Sequence, residues 1–379
     1  MATLTGILDW PERTEGRVRQ MGDTLIEQAD DPFVPLVLGE RYPLRTGMEV
    51  TVEVISKKSR RRKRRGPVAR APRPVVDQIL AIEGLDPDEY AKRRPFEELS
   101  SIDPQPRLTL EHPGCPDSVR LIDLFCPIGR GQRGLIVSPP KAGKTTILKD
   151  IATGLKHNHP DVEVFALLVD ERPEEVTDFR RSVDARVFAS SNDRDTEQHI
   201  AVALMVTERA RRMVEAGKHV VILLDSLTRL GRAFNASKKH SNSGRTLSGG
   251  IDSKAMTVPR YIFGSARNTE EAGSLTILAS CLVDTGSQGD QVIFEEFKGT
   301  GNMELVLDRK IAERRIFPAI NLAASGTRKE DKLLDSQTYN TVTALRRRLI
   351  NMPPSQQVEQ LLAALKRFPT NAELVGIKS

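Results

Sequence analysis

The chain has 379 residues, 39% of them hydrophobic and 28% charged, and 57 Lys+Arg against 51 Asp+Glu give a formal charge of +6. That length suits two or three domains with buried cores, and the balance excludes wholesale disorder or a membrane channel. Because no apolar run approaches the roughly 18 residues of a membrane helix and no disulfide framework fits three cysteines, a soluble cytoplasmic protein is expected.

The first residues, MATLTGILDWPERTEG, lack the basic-then-apolar order of a signal peptide. Short apolar or alternating pieces follow at Leu4 to Leu8, Thr24 to Ile26, Val34 to Leu38 and Val50 to Ile55. Gly16, Gly22, Pro32, Gly39 and Gly47 punctuate them, which predicts a small β-barrel or open sheet. Residues 57 to 65 then read KKSRRRKRR, eight cations in nine positions. Without those eight, 49 Lys+Arg face 51 Asp+Glu, a net charge of −2, so the basic character sits in one tract. Such a run is a solvated loop, a membrane-surface contact or a nucleic-acid contact, and in the last case its binding is salt-sensitive and sequence-independent. The Pro-rich stretch 66 to 74 predicts a linker, and 76 to 110 short helices and turns.

From about Leu121 apolar strand-like runs alternate with longer helical stretches. The strands are expected at Gly134 to Val137, Val162 to Val169, Ala185 to Ala189, Val220 to Leu224 and Leu275 to Val283. A helix is expected over Asp195 to Ala216, capped by Ser190-Ser191-Asn192, and a helical tail over Ser336 to Phe368. Alternation with nearly all-apolar strands predicts a parallel sheet covered on both faces. The expected organisation is an N-terminal β-barrel domain over 1–75 including the tract 57–65, a connector over 76–119, and an α/β domain over 120–379.

Residues 138 to 146, SPPKAGKTT, supply Gly143-Lys144-Thr145 between a strand and a helix start. This is the phosphate-loop order: backbone N–H groups and the helix N-terminus take phosphate oxygens, Lys144 reaches the outer phosphates, and the Thr145 hydroxyl can ligate Mg²⁺. Ser138 stands where the general pattern has its first Gly. The strand Val220 to Leu224 ends in Asp225, suited to hold Mg²⁺ through water or Thr145, and Leu167 to Val169 ends in Asp170-Glu171, with Glu171 placed to orient or deprotonate a water. An acid after a strand is otherwise a helix cap; two such acids at C-terminal strand ends, downstream of a phosphate loop, favour the ligand site. His157 and His159 lie two apart, on different faces of a helix, and are not read as metal ligands.

The segments PIGRGQRGLIVSPPKAGKT, LLVDERPEEVTDF, VVILLDSLTRLGRAFN, SGRTLSGGID, EEFKGTGNMEL and RKIAERRIFPAINLAASGTRKEDKLL closely resemble the transcription termination factor Rho family. The resemblance runs from about Arg94 to Leu334. It implies a RecA-like parallel-sheet ATPase domain behind a cold-shock/OB-like barrel, in a ring-forming, RNA-dependent ATPase and helicase. ATP, Mg²⁺, single-stranded RNA, RNA polymerase and five further copies of the chain are the implied ligands and partners. The implied nucleotide contacts are Gly129, Arg130, Gly131, Gln132, Arg133 and Gly134, then Lys141, Ala142, Gly143, Lys144, Thr145 and Thr146, with Arg172 nearby and Phe317 stacked on adenine. Glu171 resembles the catalytic carboxylate and Asp225, with Thr145, the Mg²⁺-linked pair. Lys144, Arg229 and Arg315 would stabilise the γ-phosphate region, and Arg328 resembles an arginine finger supplied by the neighbouring subunit.

Two loops would line the ring's hole and grip RNA. In the first, Ser243 to Gly250, the implied contacts are Gly244, Arg245, Thr246, Leu247, Ser248 and Gly249, with Arg245 where the family commonly has a lysine. In the second, Thr285 to Asp290, Gln288 replaces a common lysine, while Lys298 remains further on. The barrel's aromatic strand is missing: the corresponding stretch reads Thr14-Glu15-Gly16-Arg17-Val18-Arg19, and only Trp10, Phe33 and Tyr42 are aromatic before residue 76. No helical bundle fits before Leu4. Weaker base stacking and compensation by phosphate contacts of the basic tract are therefore expected. A divergent regulatory ring subunit with little turnover is the alternative; an export-coupled ATPase of the same fold would lack SGRTLSGG and EEFKGTGN.

Overall fold

In the computed structural model the described residues are 2–376 apart from 12, 21, 23–24 and 58–72. The basic tract therefore lies outside the described residues, save for the backbone of Lys57, and so does most of the 66 to 74 linker.

The N-terminal unit is a closed barrel of β1 (Ala2–Asp9), β2 (Gly16–Gln20), β3 (Phe33–Val34), β4 (Glu49–Lys57) and β5 (Arg73–Ile82), in the order β1-β2-β3-β5-β4. Alternation drives it: Val50 and Val52 of β4 and Val76 and Ile79 of β5 point into a core shared with Leu8, Val18, Val34 and Met48. Trp10 is buried in that core, its indole fitted against Gly16 and Gly39, where any side chain would collide with the ring. Three expectations change here. Val34 to Leu38 is not one strand, because Pro35 ends β3 and opens helix α1 (Leu36–Arg41). Leu25 takes a positive φ of 52°, which breaks the extended run expected around it. The barrel also runs on to Ile82, past the boundary expected at residue 75, because β5 pairs with β4 along its length.

Helix α2 (Pro87–Tyr90), a 3₁₀ turn at Phe96–Glu98 and strand β6 (Ser101–Ile102) lead to the larger domain. Its elements are α3 (Asp117–Phe125), β7 (Arg133–Ser138), α4 (Lys144–Asn158), β8 (Val162–Glu171), α5 (Pro173–Ser182), β9 (Arg186–Ser191), α6 (Thr196–Glu215), β10 (His219–Asp225), α7 (Leu227–Ala236) and α8 (Thr257–Gly264). They continue as β11 (Arg267–Thr269), β12 (Ser274–Leu282), α9 (Gln288–Lys298), β13 (Met303–Val306), α10 (Arg309–Glu313), β14 (Gly326–Thr327), α11 (Ser336–Leu349), α12 (Pro354–Arg367) and α13 (Asn371–Leu374).

The main sheet runs β14-β13-β7-β12-β10-β8-β9, parallel from β13 to β9, with β14 antiparallel at the edge. Successive strand residues feed opposite cores: Val221 and Leu223 of β10 join Ile147, Phe179 and Val342 on one face, while Val220, Ile222 and Leu224 join Val206, Phe234 and Ile293 on the other. Helix α6 is capped by the Asp195 carboxylate accepting from the Gln198 N–H, rather than by Ser190-Ser191-Asn192, which belong to the end of β9 and the turn after it.

The barrel sits on α6 through buried charge. Arg209 donates to Glu49 at 3.1 Å and to Glu83, and Arg45 donates to both Glu215 oxygens at 2.7 and 2.9 Å. Glu215 also accepts from the Tyr90 hydroxyl at 3.0 Å and the Phe96 N–H at 2.6 Å, so it ties barrel, connector and sheet domain together.

Candidate nucleotide site and nucleic-acid loops

The C-terminal end of the parallel sheet gathers the chemistry. Strand β7 ends at Ser138, and the loop to α4 closes with Gly143 at φ 96°, a left-handed N-cap that side-chain-bearing residues avoid. Lys144 and Thr145 thus open α4, with their backbone N–H groups at the positive end of the helix. Glu171 and Asp225 close the adjacent strands β8 and β10, where Asp225 pairs in register with Leu168. The Lys144 ammonium lies 3.2 Å from Glu171 and also bonds Asp225. Burial opposes the lysine's charge, but the two carboxylates outweigh it and hold its pKa above the ordinary value.

Glu171 is pushed up to about 7, first by burial and then by the charge of Asp225, against the pull of Lys144 and Arg229. Arg229, in the first turn of α7, is 3.2 Å from Glu171 and donates to the backbone oxygen of Asp170. A carboxyl poised near neutrality and oriented by a guanidinium suits a general base. Asp225 accepts from Lys144 and from the Ser280 hydroxyl at 2.9 Å, both at Oδ1; among the described residues no donor reaches Oδ2. The Asp225 carboxylate at the end of β10 and the Thr145 hydroxyl in the first turn of α4 are hard oxygen donors of the kind that fits Mg²⁺.

Beside the loop, Phe317 and Pro318 face Ala142, Gly143, Thr146 and Asp150 across a cavity of about 430 Å³. The Phe317 side chain is about half exposed on that space, where it is open to stacking on a planar base. Arg315, held at φ 60°, and Lys141, at φ 65°, line the next cleft together with Pro140. Arg172 follows Glu171 directly, exposed at the head of α5.

The other expected nucleotide residues lie elsewhere. Gly129 to Gly134 precede or begin β7, so the whole strand, about 20 Å, separates them from Lys141 to Thr146. Within one chain the two segments do not meet, which corrects their grouping around a single nucleotide. Gly129 and Gly131 are packed against Pro104 and Asn268, Arg130 pairs with Asp161 at 2.7 Å, Gln132 donates to Asn302 at 2.6 Å, and Arg133 donates to backbone oxygens of Ala266 and Thr300 at 3.1 Å. Arg328 belongs to this far end as well: it follows β14, and its N–H donates to the Asn302 oxygen at 2.8 Å. Its side chain is exposed, and among the described residues no carboxylate holds it.

The two glycine-rich loops touch. Gly249, at φ 70°, lies so close to the backbone of Gln288 that a β-carbon would come within 2.6 Å of it. The first loop is folded on Asp252, which accepts from the Ser243 N–H and hydroxyl at 3.0 and 2.9 Å. This leaves Gly244, Arg245, Thr246, Leu247 and Ser248 exposed. Gln288 to Asp290, expected in a loop, form the first turn of α9, because the Ser287 hydroxyl accepts from the Asp290 N–H. Lys298 ends the same helix over the Phe294 ring, about 15 Å from Gln288. In the barrel, Trp10 and Tyr42 are buried; Phe33 remains half-buried, with the Arg17 guanidinium 4.4 Å over its ring.

The ATP synthase alpha/beta family, nucleotide-binding domain, matches residues 118–327. Transcription termination factor Rho of Streptomyces coelicolor is 46% identical over 368 residues, covering 97% of this chain and 84% of that protein. The factor of Borreliella burgdorferi is 46% identical over 97% of this chain and 69% of its own length. The chain belongs to the transcription termination factor Rho family. The Akkermansia muciniphila factor is 50% identical over 78% of this chain, which spans 62% of that protein's length. Among solved structures, a prototypical ATPase from the type III secretion system of pathogenic bacteria shares the fold, with TM-score 0.60 at 22% identity over 81% of this chain and 85% of that one. The ATPase EscN, assembled with its central stalk EscO from enteropathogenic E. coli, gives TM-score 0.53 at 25% identity over 69% and 62%.

Several supporting residues escaped the sequence reading. Ser280, mid-run in an apolar strand, reaches Asp225. Arg232 and Asn235 were hidden although they fall three and six residues after Arg229, a spacing that carries one helix flank from the nucleotide site to the loops. Asn235 donates to the Gly250 oxygen at 3.2 Å and accepts from the Asp252 N–H at 2.8 Å.

Proposed function

We propose that the chain is an RNA-stimulated ATPase that works in a ring of copies, threads single-stranded RNA and releases transcripts from RNA polymerase. The observation that carries this reading is the separation of Lys144, Glu171 and Asp225 from Arg328 at opposite ends of one parallel sheet. One chain then holds a nucleotide without its arginine, and a head-to-tail neighbour supplies it. Family membership supports six copies, and the paired loops beside Gly249 and Gln288 supply an RNA grip.

Phe317 would stack on the base while the N-terminus of α4 and Lys144 take the phosphates. Thr145 and Asp225 would hold Mg²⁺, whose charge neutralises phosphate oxygens. Binding of the phosphates draws the Lys144 ammonium away from Glu171, whose carboxylate, steadied by Arg229, then accepts the proton of the attacking water. Arg328 of the next copy offsets charge on the transferring phosphoryl group. With Trp10 and Tyr42 buried, the barrel keeps Phe33 as its accessible ring, and the tract at 57–65 supplies charge; base selectivity should be low and salt dependence steep.

The test is steady-state ATP hydrolysis without nucleic acid and with poly(C), poly(A) or single-stranded DNA, beside Glu171→Gln. Strong stimulation by both RNAs, abolished by Glu171→Gln, supports the motor. Assembled rings that bind RNA without turnover would support a regulatory subunit instead.

A further inference from the structure

The segment carrying Arg328 is held from the connector. Lys329, directly after Arg328, has a left-handed backbone at φ 56° and ψ 40° and caps the short 3₁₀ turn Glu330–Lys332. A residue with a side chain is uncommon there and is held by its surroundings. Asp103, just beyond β6, holds the side chains on this turn: Oδ1 accepts from the Lys329 ammonium at 2.8 Å and Oδ2 from the Lys332 ammonium at 2.5 Å. Asp103 itself stands on a firm base. The buried Asn268 amide donates to the Asp103 and Gln105 backbone oxygens at 3.3 and 2.6 Å. From the other side Arg346 donates to the Ser325 oxygen at 2.9 Å and faces Glu330 at 3.7 Å.

Three cations fall within five residues here, and Asp103 engages two of them. Arg328 is left as the cation without a carboxylate partner among the described residues, with the Arg133 guanidinium close enough to repel it. Hydrogen bonds from the two lysines hold the Asp103 carboxyl down at about 2, so it is charged at every working pH. Salt or substitution, rather than protonation, would open the clamp.

We propose that Asp103 is a positioning residue for Arg328: by tying Lys329 and Lys332 to the connector it fixes the turn that presents the arginine to a neighbouring copy's phosphates and keeps the two lysines from competing for them. The proposal rests on the reading of Arg328 given above. Its test is a double-mutant cycle on the full chain at saturating RNA, with Asp103→Asn, Arg328→Ala and the combination, reading kcat and KM for ATP. Asp103→Asn should lower kcat about threefold to tenfold, the scale of two partly exposed ion pairs, with KM within about twofold. Asp103→Glu should recover most of the loss, and Lys329→Gln with Lys332→Gln should reproduce it. With Arg328 already replaced, Asp103→Asn should have no further effect on kcat. An equal loss in both backgrounds, or none in the parent, overturns the proposal while leaving Arg328 as the finger. Full turnover by Arg328→Ala would overturn the underlying reading, and the proposal with it.

Discussion

Arg232 of α7 grips the buried carboxylate of Asp290 at the head of α9, with Nε at 2.8 Å from Oδ1 and Nη2 at 2.5 Å from Oδ2. Three residues earlier the same helix places Arg229 on Glu171, and three residues later Asn235 holds the first loop. One ten-residue helix thus mounts the partner of Glu171 and holds both loops. Arg232→Ala should strand Asp290, leaving only the Thr285 hydroxyl and the Ser287 cap near it. RNA stimulation should fall about tenfold or more, the rate equivalent of about 1.4 kcal/mol, with basal hydrolysis less affected. Equal stimulation ratios for parent and variant would contradict this.

Glu171 sets the expected pH profile. Its carboxyl is raised to about 7, so the base form is lost as pH falls through that value. The kcat/KM for ATP, which reports the free enzyme, should be flat in alkali and drop about tenfold per pH unit below about 7. Initial rates from pH 5.5 to 9 at fixed ionic strength check it; a limb near 4.5 would mean that Glu171 is not the titrating base.

On the proposed reading, Phe317 would recognise the base and take no part in the chemistry. Phe317→Ala should weaken ATP binding by about 1–3 kcal/mol, the worth of one aromatic–base stack, and leave kcat near the parent's. Titration with a fluorescent ATP analogue measures the loss directly. A fall in kcat without a change in affinity would assign the ring to catalysis.

At the barrel junction, Arg209 and Glu83 are both buried and paired. Arg209→Ala removes the guanidinium from the buried Glu83 carboxylate and leaves the Glu49 N–H as its remaining donor, at a cost of about 3–5 kcal/mol. Replacing both, with Arg209→Met and Glu83→Leu, should recover most of that loss. Urea unfolding of the parent and the two variants separates the outcomes; a double variant no better than the single one would show that Glu49 dominates the contact.

Local signals served the sheet domain well. Apolar strands ending in Asp225 and Glu171, and a Gly-Lys-Thr at a helix start, are written in consecutive residues, and they meet because parallel strands present the same end together. The far-end grouping was harder. Gly129 to Gly134 and Lys141 to Thr146 are neighbours in sequence but are separated by a strand's length, a distance that spacing alone does not reveal. The second loop was misread because Ser287 is both a loop residue and an N-cap. In the barrel, Pro35 divided an apolar run between a strand and a helix, and the last strand, β5, lies at Arg73–Ile82, where the sequence suggested the end of a linker and then short helices and turns.

The parallel sheet gives the molecule a head and a tail, with Lys144 at one and Arg328 at the other. Such a surface cannot complete itself by two-fold pairing, since a back-to-back dimer would set like end against like end. Translation and rotation from copy to copy remain, and each added copy completes one site while offering another. If Arg328 completes the neighbouring copy's site as proposed, a solitary chain is half an enzyme, and turnover per chain should collapse on dilution below the assembly concentration even with ATP and RNA in excess. An inert copy mixed into a ring would silence two sites, its own and the one it was to complete.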